Sequence, residues 1–297
     1  MYVQRLAWGV HVQAPAKLNL FFEVFGKRND GFHEIETLMV PIGLYDSLSF
    51  EPQTSGPITV DCRWAAGGDG SPLGELPASQ SNIVTRALEL LRQRAGINDG
   101  ARVRLLKRIP LAAGLGGGSS DAAAALVAAN IGWKIGWSTS ALSELAGALG
   151  SDVPFFFAPG AAICRGRGEL IEPVAGIGSW HFVLVRPPEG LSTASVYARC
   201  QASRDGRSST ALIDAMRRGD ARRIAATVHN ALEPAAESLS PWIGRLRREF
   251  QRLDCVATQM SGSGSSYFGI CRNARHARRA AELLKSRGVG RVYAVRS

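Results

Sequence analysis

Apolar and polar side chains alternate along the first part of the chain. Apolar residues occupy every second position over 18–24, and a strand-like pattern resumes over 34–40 after the turn residues at 29–31. A period of two is the repeat of a β-strand, and the intervening Asn-Asp-Gly favours a tight turn. The pattern therefore predicts a β-hairpin, followed by a short strand at 58–64 inside a loop-rich stretch over 53–81.

Helical spacing replaces this alternation further along the chain. Apolar residues three or four positions apart predict a helix over 81–94, with Ser81 or Asn82 as its N-cap. The stretch 121–130 consists mostly of alanine and leucine, which predicts a buried helix whose small side chains allow close neighbours. We expect Asp121 to cap that helix.

The second half of the chain mixes strands with helices. Helices are predicted at 140–149, 210–228 and 240–252, and strands at 103–106, 182–185 and 292–295, the last of them after an Arg/Ala-rich helix. A further strand is predicted after the serine- and glycine-rich stretch at 261–266. Gly150 is expected to end the first of these helices. The mixed order favours an α+β fold over a doubly wound parallel sheet. The length of 297 residues suffices for two domains, which we place at 1–170 and 171–297.

The composition indicates a folded protein with an anionic partner. Hydrophobic residues make up 45% of the chain and charged residues 20%, which excludes a disordered chain. The formal charge of +10 suits phosphates, nucleotides or nucleic acid. Arginines concentrate at 245–248 and 272–279, where they are typical of solvated helix faces, and no nucleic-acid-binding motif accompanies them. We therefore expect no nucleic-acid partner.

The five cysteines are scattered and include no Cys-x-x-Cys pair, so neither a disulfide framework nor a structural zinc site is predicted. This usage is typical of the reducing cytoplasm. Residues 1–20 lack the apolar core of a signal peptide, and the most apolar stretch, 153–164, is far shorter than the ~20 residues that span a bilayer. We expect a cytoplasmic protein with no membrane partner, either a monomer or a homodimer.

The most informative stretch is glycine-rich and precedes the predicted alanine-rich helix. Four of the five residues at 114–118 are glycine, which lets the backbone turn sharply and expose successive N–H groups. The following helix N-terminus adds unpaired donors and a partial positive charge, so the stretch predicts a phosphate cradle. It is not a Walker A loop, because no Gly-Lys-Ser/Thr follows. The candidate phosphate-binding residues are Pro110, Gly114, Leu115, Gly116, Gly117, Gly118, Ser119 and Ser120.

Three motifs, in this order, resemble those of the GHMP kinases, a family of small-molecule kinases. They are PAKLNL at 15–20, PLAAGLGGGSSDA at 110–122 and QMSGSGSS at 259–266. The third looks like the family's second glycine loop, which lies against the first and here contains Ser261, Gly262, Ser263 and Gly264. The resemblance implies ATP and Mg²⁺ as cofactors. It also implies an N-terminal domain like ribosomal S5 domain 2, a ferredoxin-like C-terminal domain, and an active site in the cleft between them.

Three further stretches narrow the resemblance to one branch of this family. Residues 14–20, 31–38 and 150–156 are similar to the members whose substrate is a cytidine diphosphate compound, 4-diphosphocytidyl-2-C-methyl-D-erythritol. The resemblance implies transfer of the γ-phosphate of ATP to the 2-hydroxyl of the methylerythritol moiety. This reaction belongs to the non-mevalonate isoprenoid pathway.

The resemblance also implies roles for single residues. Asp152 matches the catalytic aspartate, which can accept the hydroxyl proton, and Lys17 matches its partner, which can stabilise charge on the transferring group. Asn19 lies two residues after Lys17 on the same strand face and is implied to contact the substrate. Lys107 and Asn82 match positions near the nucleotide, although Asn82 is equally suited to cap a helix. The motifs assign no protein ligand to Mg²⁺.

Aromatic residues are implied to hold the cytosine. His33 matches the histidine that binds the base, and Phe32 stands where tyrosine is usual, which keeps stacking but removes a hydroxyl contact. His33 and Glu34 are not followed by the second histidine of a His-Glu-x-x-His motif, so zinc binding is not expected there. Tyr197 matches a second aromatic residue of the pocket, and Thr193 matches a residue near the diphosphate.

Three alternatives stay open on the sequence. The chain could be another GHMP-type kinase, acting on homoserine or mevalonate, although Phe32, His33 and Tyr197 favour a cytidine-bearing substrate. It could be a catalytically inactive nucleotide-binding relative, although Lys17 and Asp152 are both in place. The charge of +10 leaves a nucleic-acid binder as the third alternative, which salt-dependent retention on DNA or RNA would support.

Overall fold

The computed structural model describes residues 1–66, 76, 78, 81–203 and 206–297. The strands are β1 (Tyr2–Leu6), β2 (Gly9–Lys27), β3 (His33–Gln53), β4 (Ile58–Trp64), β5 (Gly100–Lys107), β6 (Ala162–Gly166), β7 (Leu170–Pro173), β8 (His181–Arg186), β9 (His229–Asn230), β10 (Ala257–Met260), β11 (Tyr267–Cys271) and β12 (Arg291–Arg296). The helices are α1 (Ile83–Ala95), α2 (Gly117–Gly132), α3 (Thr139–Ala146), α4 (Thr193–Arg199), α5 (Thr210–Arg218), α6 (Ala221–Thr227), α7 (Glu233–Leu239), α8 (Pro241–Gln251) and α9 (Ala274–Ser286), with a 3₁₀ helix at Pro154–Phe157.

An eight-stranded sheet organises the first half of the described chain. Its order is β1-β2-β3-β5-β4, while β6 and β9 pair with β3 and β2, and β7 pairs with β6. β2 and β3 are antiparallel neighbours, which confirms the predicted hairpin, and β4 is the strand predicted at 58–64. The stretches 67–75, 77 and 79–80 of the predicted loop lie outside the described residues.

The middle of β2 is buried on both faces, which explains its nearly continuous apolar sequence. Val12 and Ala14 pack into the core beneath α1 and α2, whereas Leu18 and Leu20 pack against the second sheet. Three register shifts interrupt the pairing of β2 with β3, one of them between Asn19 and Phe21. Bulges of this kind redirect side chains and are frequent next to active sites.

A second, four-stranded sheet lies in the other half, in the order β10-β11-β8-β12 with antiparallel neighbours. Helices α8 and α9 pack against it through Ile243, Leu246, Phe250, Ala281 and Leu284. The mixture of mostly antiparallel sheets and segregated helices confirms the α+β class. The first-half strands end with β7 at Pro173, and we retain a division of the chain near residue 170 as a proposal.

Helix α2 begins four residues earlier than predicted, so the prediction that Asp121 caps it was wrong. The N-cap is Gly116, in the left-handed conformation at φ 67°, and Gly117 to Ser120 form the first helical turn. Asp121 lies inside the helix, where its carboxylate pairs with Lys107. The glycines suggested a loop up to residue 120, but burial against the sheet favours extending the helix through them.

Two other predicted helices have different limits. The helix predicted over 210–228 is divided into α5 and α6, because Gly219 adopts φ 65° and Asp220 then caps the backbone N–H groups of Arg222 and Arg223. The helix predicted over 140–149 ends at Ala146, with Gly147 as its C-cap. Across the described residues, the helices all fall short of the length and apolar character that crossing a membrane would require.

Candidate active site

A cleft with a volume of about 900 Å³ takes residues from both halves of the chain. Its floor and walls bring together motifs that are far apart in sequence. The predicted site residues that line it are Lys17, Phe32, His33, Pro110, Gly114, Leu115, Gly116, Gly117, Gly118, Ser119, Asp152, Thr193, Tyr197, Gly262, Ser263 and Gly264. The other predicted residues, Asn19, Asn82, Lys107, Ser120 and Ser261, are buried outside this lining.

The glycine-rich stretch forms the N-terminus of helix α2 in the cleft. The first intrahelical bond of α2 runs from the Ser120 N–H to the Gly116 carbonyl at 2.9 Å. The N–H groups of residues 117–119 therefore have no acceptor within the helix. A Cβ on Gly116 would lie 2.9 Å from Cγ of Lys17, and one on Gly117 would lie 2.8 Å from Ile109. This backbone cradle fits a phosphate group of a nucleotide.

The two glycine loops touch directly. A Cβ added to Gly114, whose φ is 70°, would lie 2.1 Å from the carbonyl oxygen of Ser261, so only glycine allows this approach. The Ser261 hydroxyl donates to the Gly114 carbonyl at 3.0 Å and accepts from the Asn19 backbone N–H at 3.2 Å. The Ser266 N–H donates to the carbonyl oxygen of Ala113 at 3.3 Å. The second loop thus fixes the shape of the first.

Lys17 and Asp152 meet beside the helix terminus, as the motifs predicted. Nζ of Lys17 lies 3.5 Å from Oδ2 of Asp152, and the lysine is buried while the aspartate side chain is 35% exposed. Asp152 belongs to a turn that is closed by the bond from the Val153 N–H to Gly150 at 3.2 Å. The buried Phe155 anchors the 3₁₀ helix that follows this turn. The arrangement presents an accessible carboxylate next to a fixed ammonium group.

Asn19 positions Lys17 rather than lining the cleft. Its Oδ1 accepts from Nζ of Lys17 at 2.5 Å, and its Nδ2 donates to the hydroxyl of Thr37 at 2.8 Å. Thr37 in turn donates to the carbonyl of Phe21 at 2.7 Å. Asn19 is fully buried in contact with the lysine, and its contact with substrate stays a prediction.

Lys107 and Asn82 have structural partners. Nζ of Lys107 lies 2.5 Å from a carboxylate oxygen of both Asp46 and Asp121, and all three side chains are almost fully buried. Burial raises the pKa of Asp121 to about 8, and the neighbouring Asp46 acts in the same direction. Asn82 caps α1 by accepting from the Val84 N–H at 3.0 Å, as the sequence allowed. This buried cluster links α2 to strands β3 and β5.

Aromatic residues occupy another part of the cleft. The rings of His33 and Tyr197 are 4.9 Å apart and tilted by 31°, and Phe32 is 47% exposed. Burial lowers the pKa of His33, and the nearby Lys27 lowers it further, so the neutral imidazole is favoured. A neutral imidazole offers one donor and one acceptor, which suits the edge of a nucleobase.

The residues of the cleft that sequence reasoning missed include three with polar side chains, Lys27, Ser151 and Arg167. The guanidinium carbon of Arg167 lies 4.9 Å from the centroid of the Phe32 ring, a cation–π distance. Arg167 lies in the turn between β6 and β7. The glycines at 166 and 168 predict this turn, but they do not predict that Arg167 contacts Phe32. Its position follows from the pairing of β6 with β3, which local patterns do not reveal.

Comparisons with known proteins agree with this geometry. The GHMP kinases N terminal domain matches residues 82–160, and the GHMP kinases C terminal domain matches residues 212–290. The chain is 43% identical over 270 residues to the 4-diphosphocytidyl-2-C-methyl-D-erythritol kinase of Pelotomaculum thermopropionicum, covering 90% of this chain and 91% of that protein.

Solved structures give the same result. The fold is similar to a crystal structure of 4-(cytidine 5'-diphospho)-2C-methyl-D-erythritol kinase, with a TM-score of 0.80 and 36% identity over 96% of this chain and 98% of that one. It is also similar to homoserine kinase from Cytophaga hutchinsonii, with a TM-score of 0.73 over 99% of this chain and 96% of that one. At 17% identity, the latter likeness concerns the fold alone.

Proposed function

Because this chain belongs to the GHMP kinases, and within them to the 4-diphosphocytidyl-2-C-methyl-D-erythritol kinases, we propose that it transfers the γ-phosphate of ATP to the 2-hydroxyl of that substrate. One observation carries the proposal. A phosphate-binding helix terminus, a lysine–aspartate pair and a cluster of aromatic rings line a single cleft. Such a cleft can hold a triphosphate, an alcohol and a nucleobase together.

Phosphoryl transfer depends mainly on positioning and on neutralising charge. The Asp152 carboxylate accepts the proton of the substrate hydroxyl, whose oxygen forms the new bond to the γ-phosphorus while the bond to the bridging oxygen of ADP breaks. Lys17, held 3.5 Å from Asp152 and 2.5 Å from Asn19, places a positive charge beside the transferring group. The backbone N–H groups of residues 117–119 hold the phosphates of ATP.

The aromatic part of the cleft binds the cytidine portion of the substrate. His33 recognises the edge of the cytosine, while Phe32 and Tyr197 provide stacking surfaces. Arg167 already covers one face of Phe32, which leaves the opposite face for the base. Lys27 and Arg167 supply positive charge for the diphosphate. Thr193 lines the same cleft, and its hydroxyl shares a hydrogen bond of 2.9 Å with the hydroxyl of Ser263.

Mg²⁺, carried by the nucleotide, neutralises phosphate charge when it is bound. Hard oxygen ligands suit this ion. Among the described residues that line the cleft, Asp152 is the one acidic residue, and Ser119 adds a hydroxyl at the phosphate loop. We propose these two side chains as the protein oxygens available to the ion, with its remaining ligands coming from phosphates and water.

A coupled assay of ADP release tests the proposal. Purified protein, ATP and Mg²⁺ are mixed with 4-diphosphocytidyl-2-C-methyl-D-erythritol, with homoserine or with mevalonate in parallel reactions. Turnover with the cytidine substrate alone is the expected result. Turnover with another alcohol alone would retain the phosphate loop and Lys17 with Asp152 but contradict the roles of Phe32, His33 and Tyr197. Folded protein that binds ATP and turns over no alcohol would identify an inactive relative.

A further inference from the structure

Two cysteines and a histidine converge on one edge of the four-stranded sheet, outside the cleft. The Sγ atoms of Cys255 and Cys271 and one imidazole nitrogen of His276 all lie within 4.8 Å of one another. In a tetrahedral zinc site with bonds of about 2.0–2.3 Å, ligand atoms are separated by roughly 3.3–3.8 Å. Movements of about 1 Å, within the range of side-chain adjustment, would therefore bring all three onto one ion.

Rigid elements position the three side chains. Cys271 is the last residue of β11, and Cys255 lies just before β10, which pairs with β11. The bond from the Val256 N–H to the Ile270 carbonyl, at 2.8 Å, fixes the backbone next to both cysteines. His276 lies in the first turn of α9, where Asn273 caps its backbone N–H at 2.9 Å. Sites on rigid elements hold ligands more accurately than sites on loops.

The chemistry of the three side chains favours a divalent cation that prefers sulfur. Arg272, which lies next to Cys271, forms a two-bond ion pair with Asp254, at 2.5 and 2.9 Å, which balances its positive charge beside the site. The imidazole Nδ1 of His276 accepts only a long bond of 3.4 Å from the Arg272 backbone N–H. Two thiolates would neutralise a divalent ion, and thiolate and imidazole are the ligands that zinc prefers.

We propose that Cys255, Cys271 and His276 form a binding site for a thiophilic divalent cation of the zinc class. Cys271 is buried, whereas Cys255 and His276 are partly exposed, so the ion reaches the site from solvent and keeps an open fourth position for water. Binding releases the two thiol protons to the buffer. None of the three residues lines the cleft, so the site is separate from the phosphoryl-transfer residues.

Metal titration of the whole protein tests this assignment. Metal-free protein in a phosphine reductant, which keeps both thiols reduced, is titrated with Zn²⁺ against a chromophoric chelator and, separately, with Co²⁺. We expect one tight equivalent of Zn²⁺ and a sulfur-to-cobalt charge-transfer band. Cys255→Ser and His276→Gln should each weaken binding at least about tenfold. Cys62→Ser, which changes a partly exposed cysteine elsewhere, should bind like the parent protein.

Three results of these titrations would overturn the proposed metal site. Absence of tight Zn²⁺ binding in the parent protein, or unchanged binding in both Cys255→Ser and His276→Gln, would overturn the proposal. A cobalt complex without a sulfur charge-transfer band would also overturn it. Cys271→Ser removes a buried side chain and can unfold the protein, so the two partly exposed positions decide the test, with thermal unfolding as a check that each variant is folded.

Discussion

Lys17 and Asp152 form an ion pair in which one partner is buried and the other is reachable from the cleft. The distance of 3.5 Å between Nζ and Oδ2 exceeds a short hydrogen bond, and the aspartate side chain keeps 35% of its surface exposed. Nζ of Lys17 instead donates a hydrogen bond of 2.5 Å to Oδ1 of Asn19. This division leaves an oxygen of Asp152 free to contact a substrate hydroxyl while the charge beside it stays fixed.

The first prediction concerns the carboxylate of Asp152. Asp152→Asn removes the proton acceptor but keeps the size of the side chain, so kcat should fall by about 10²–10⁴-fold while ATP still binds. Steady-state kinetics and nucleotide titration measure the two effects separately. Asp61→Asn, at an exposed carboxylate of β4, should behave like the parent protein. A kcat near the parent value in Asp152→Asn would refute the role as a base.

The phosphate loop allows a test with two neighbouring glycines. Gly116→Ala forces a left-handed residue with a Cβ 2.9 Å from Lys17 and 3.0 Å from Phe156. We expect a loss of roughly 2 kcal/mol or more in the free energy of unfolding, together with weaker ATP binding. At Gly118 the nearest atom to an added Cβ is 3.8 Å away, so Gly118→Ala should keep the parent stability. Chemical denaturation compares the two, and equal stabilities would contradict the steric argument.

Phe32 should act on substrate binding more than on chemistry. Phe32→Ala removes a stacking surface worth about 1–3 kcal/mol per base, so KM for the cytidine substrate should rise at least about fivefold with kcat nearly unchanged. Phe32→Tyr retains the ring and should keep KM close to the parent value. Initial-rate kinetics at saturating ATP distinguish these variants. An unchanged KM in Phe32→Ala would exclude Phe32 from the substrate pocket.

Arg167 offers a separate prediction about the diphosphate. Arg167→Ala removes both the charge and the planar group that lies 4.9 Å from the Phe32 ring, so KM for the substrate should rise by about tenfold while KM for ATP stays constant. Arg167→Lys restores the charge without the planar contact and should recover part of this loss. Equal effects on both KM values would place Arg167 outside the substrate end of the cleft.

The buried cluster of Asp46, Lys107 and Asp121 predicts a pH-dependent stability. The folded-state pKa of Asp121, raised by burial to about 8, exceeds its unfolded value of 3.8. The folded protein therefore binds the extra proton, and the contribution of this group is lost as the pH rises towards 8, by up to about 1.4 kcal/mol per pH unit. Asp121→Asn should abolish this slope.

Denaturation at several values between about pH 5 and 8 measures the slope, taken as the difference between the parent protein and Asp121→Asn. The comparison with Asp121→Asn is needed because two histidines also make the stability depend on pH. Burial lowers the pKa of His33 and of His229, so both histidines stabilise the folded state as the pH rises through that range. A difference that stays constant with pH would show that the Asp121 carboxyl is ionised throughout.

Local patterns predicted the elements whose signals are contained within a short stretch. The hairpin, the strand at 58–64 and the cap at Asn82 follow from alternation and capping chemistry, and the structure confirms them. Asp121 was assigned wrongly because a carboxylate at a helix start looks like a cap. Its partner, Lys107, becomes visible only when β5 and α2 pack together.

In the site, too, residues that belong to short motifs were predicted from the sequence, whereas residues placed by strand pairing were not. The glycine loops and Lys17 with Asp152 belong to recognisable motifs, which the fold brings into one cleft. Arg167 belongs to none, since its place depends on the pairing of β6 with β3. The proximity of Cys255, Cys271 and His276 is likewise a product of strand pairing, and their spacing of sixteen and five positions matches no metal-binding motif.

Asn230 connects the two halves of the molecule. It lies on β9, parallel to β2 of the first sheet, and its Nδ2 donates to the carbonyls of Met260 and Gly262 at 2.8 and 2.9 Å. A segment from the second half thus completes the first sheet while holding the loop that shapes the phosphate cradle. Separate expression of the halves would therefore leave β2 without that neighbour and the loop without its support.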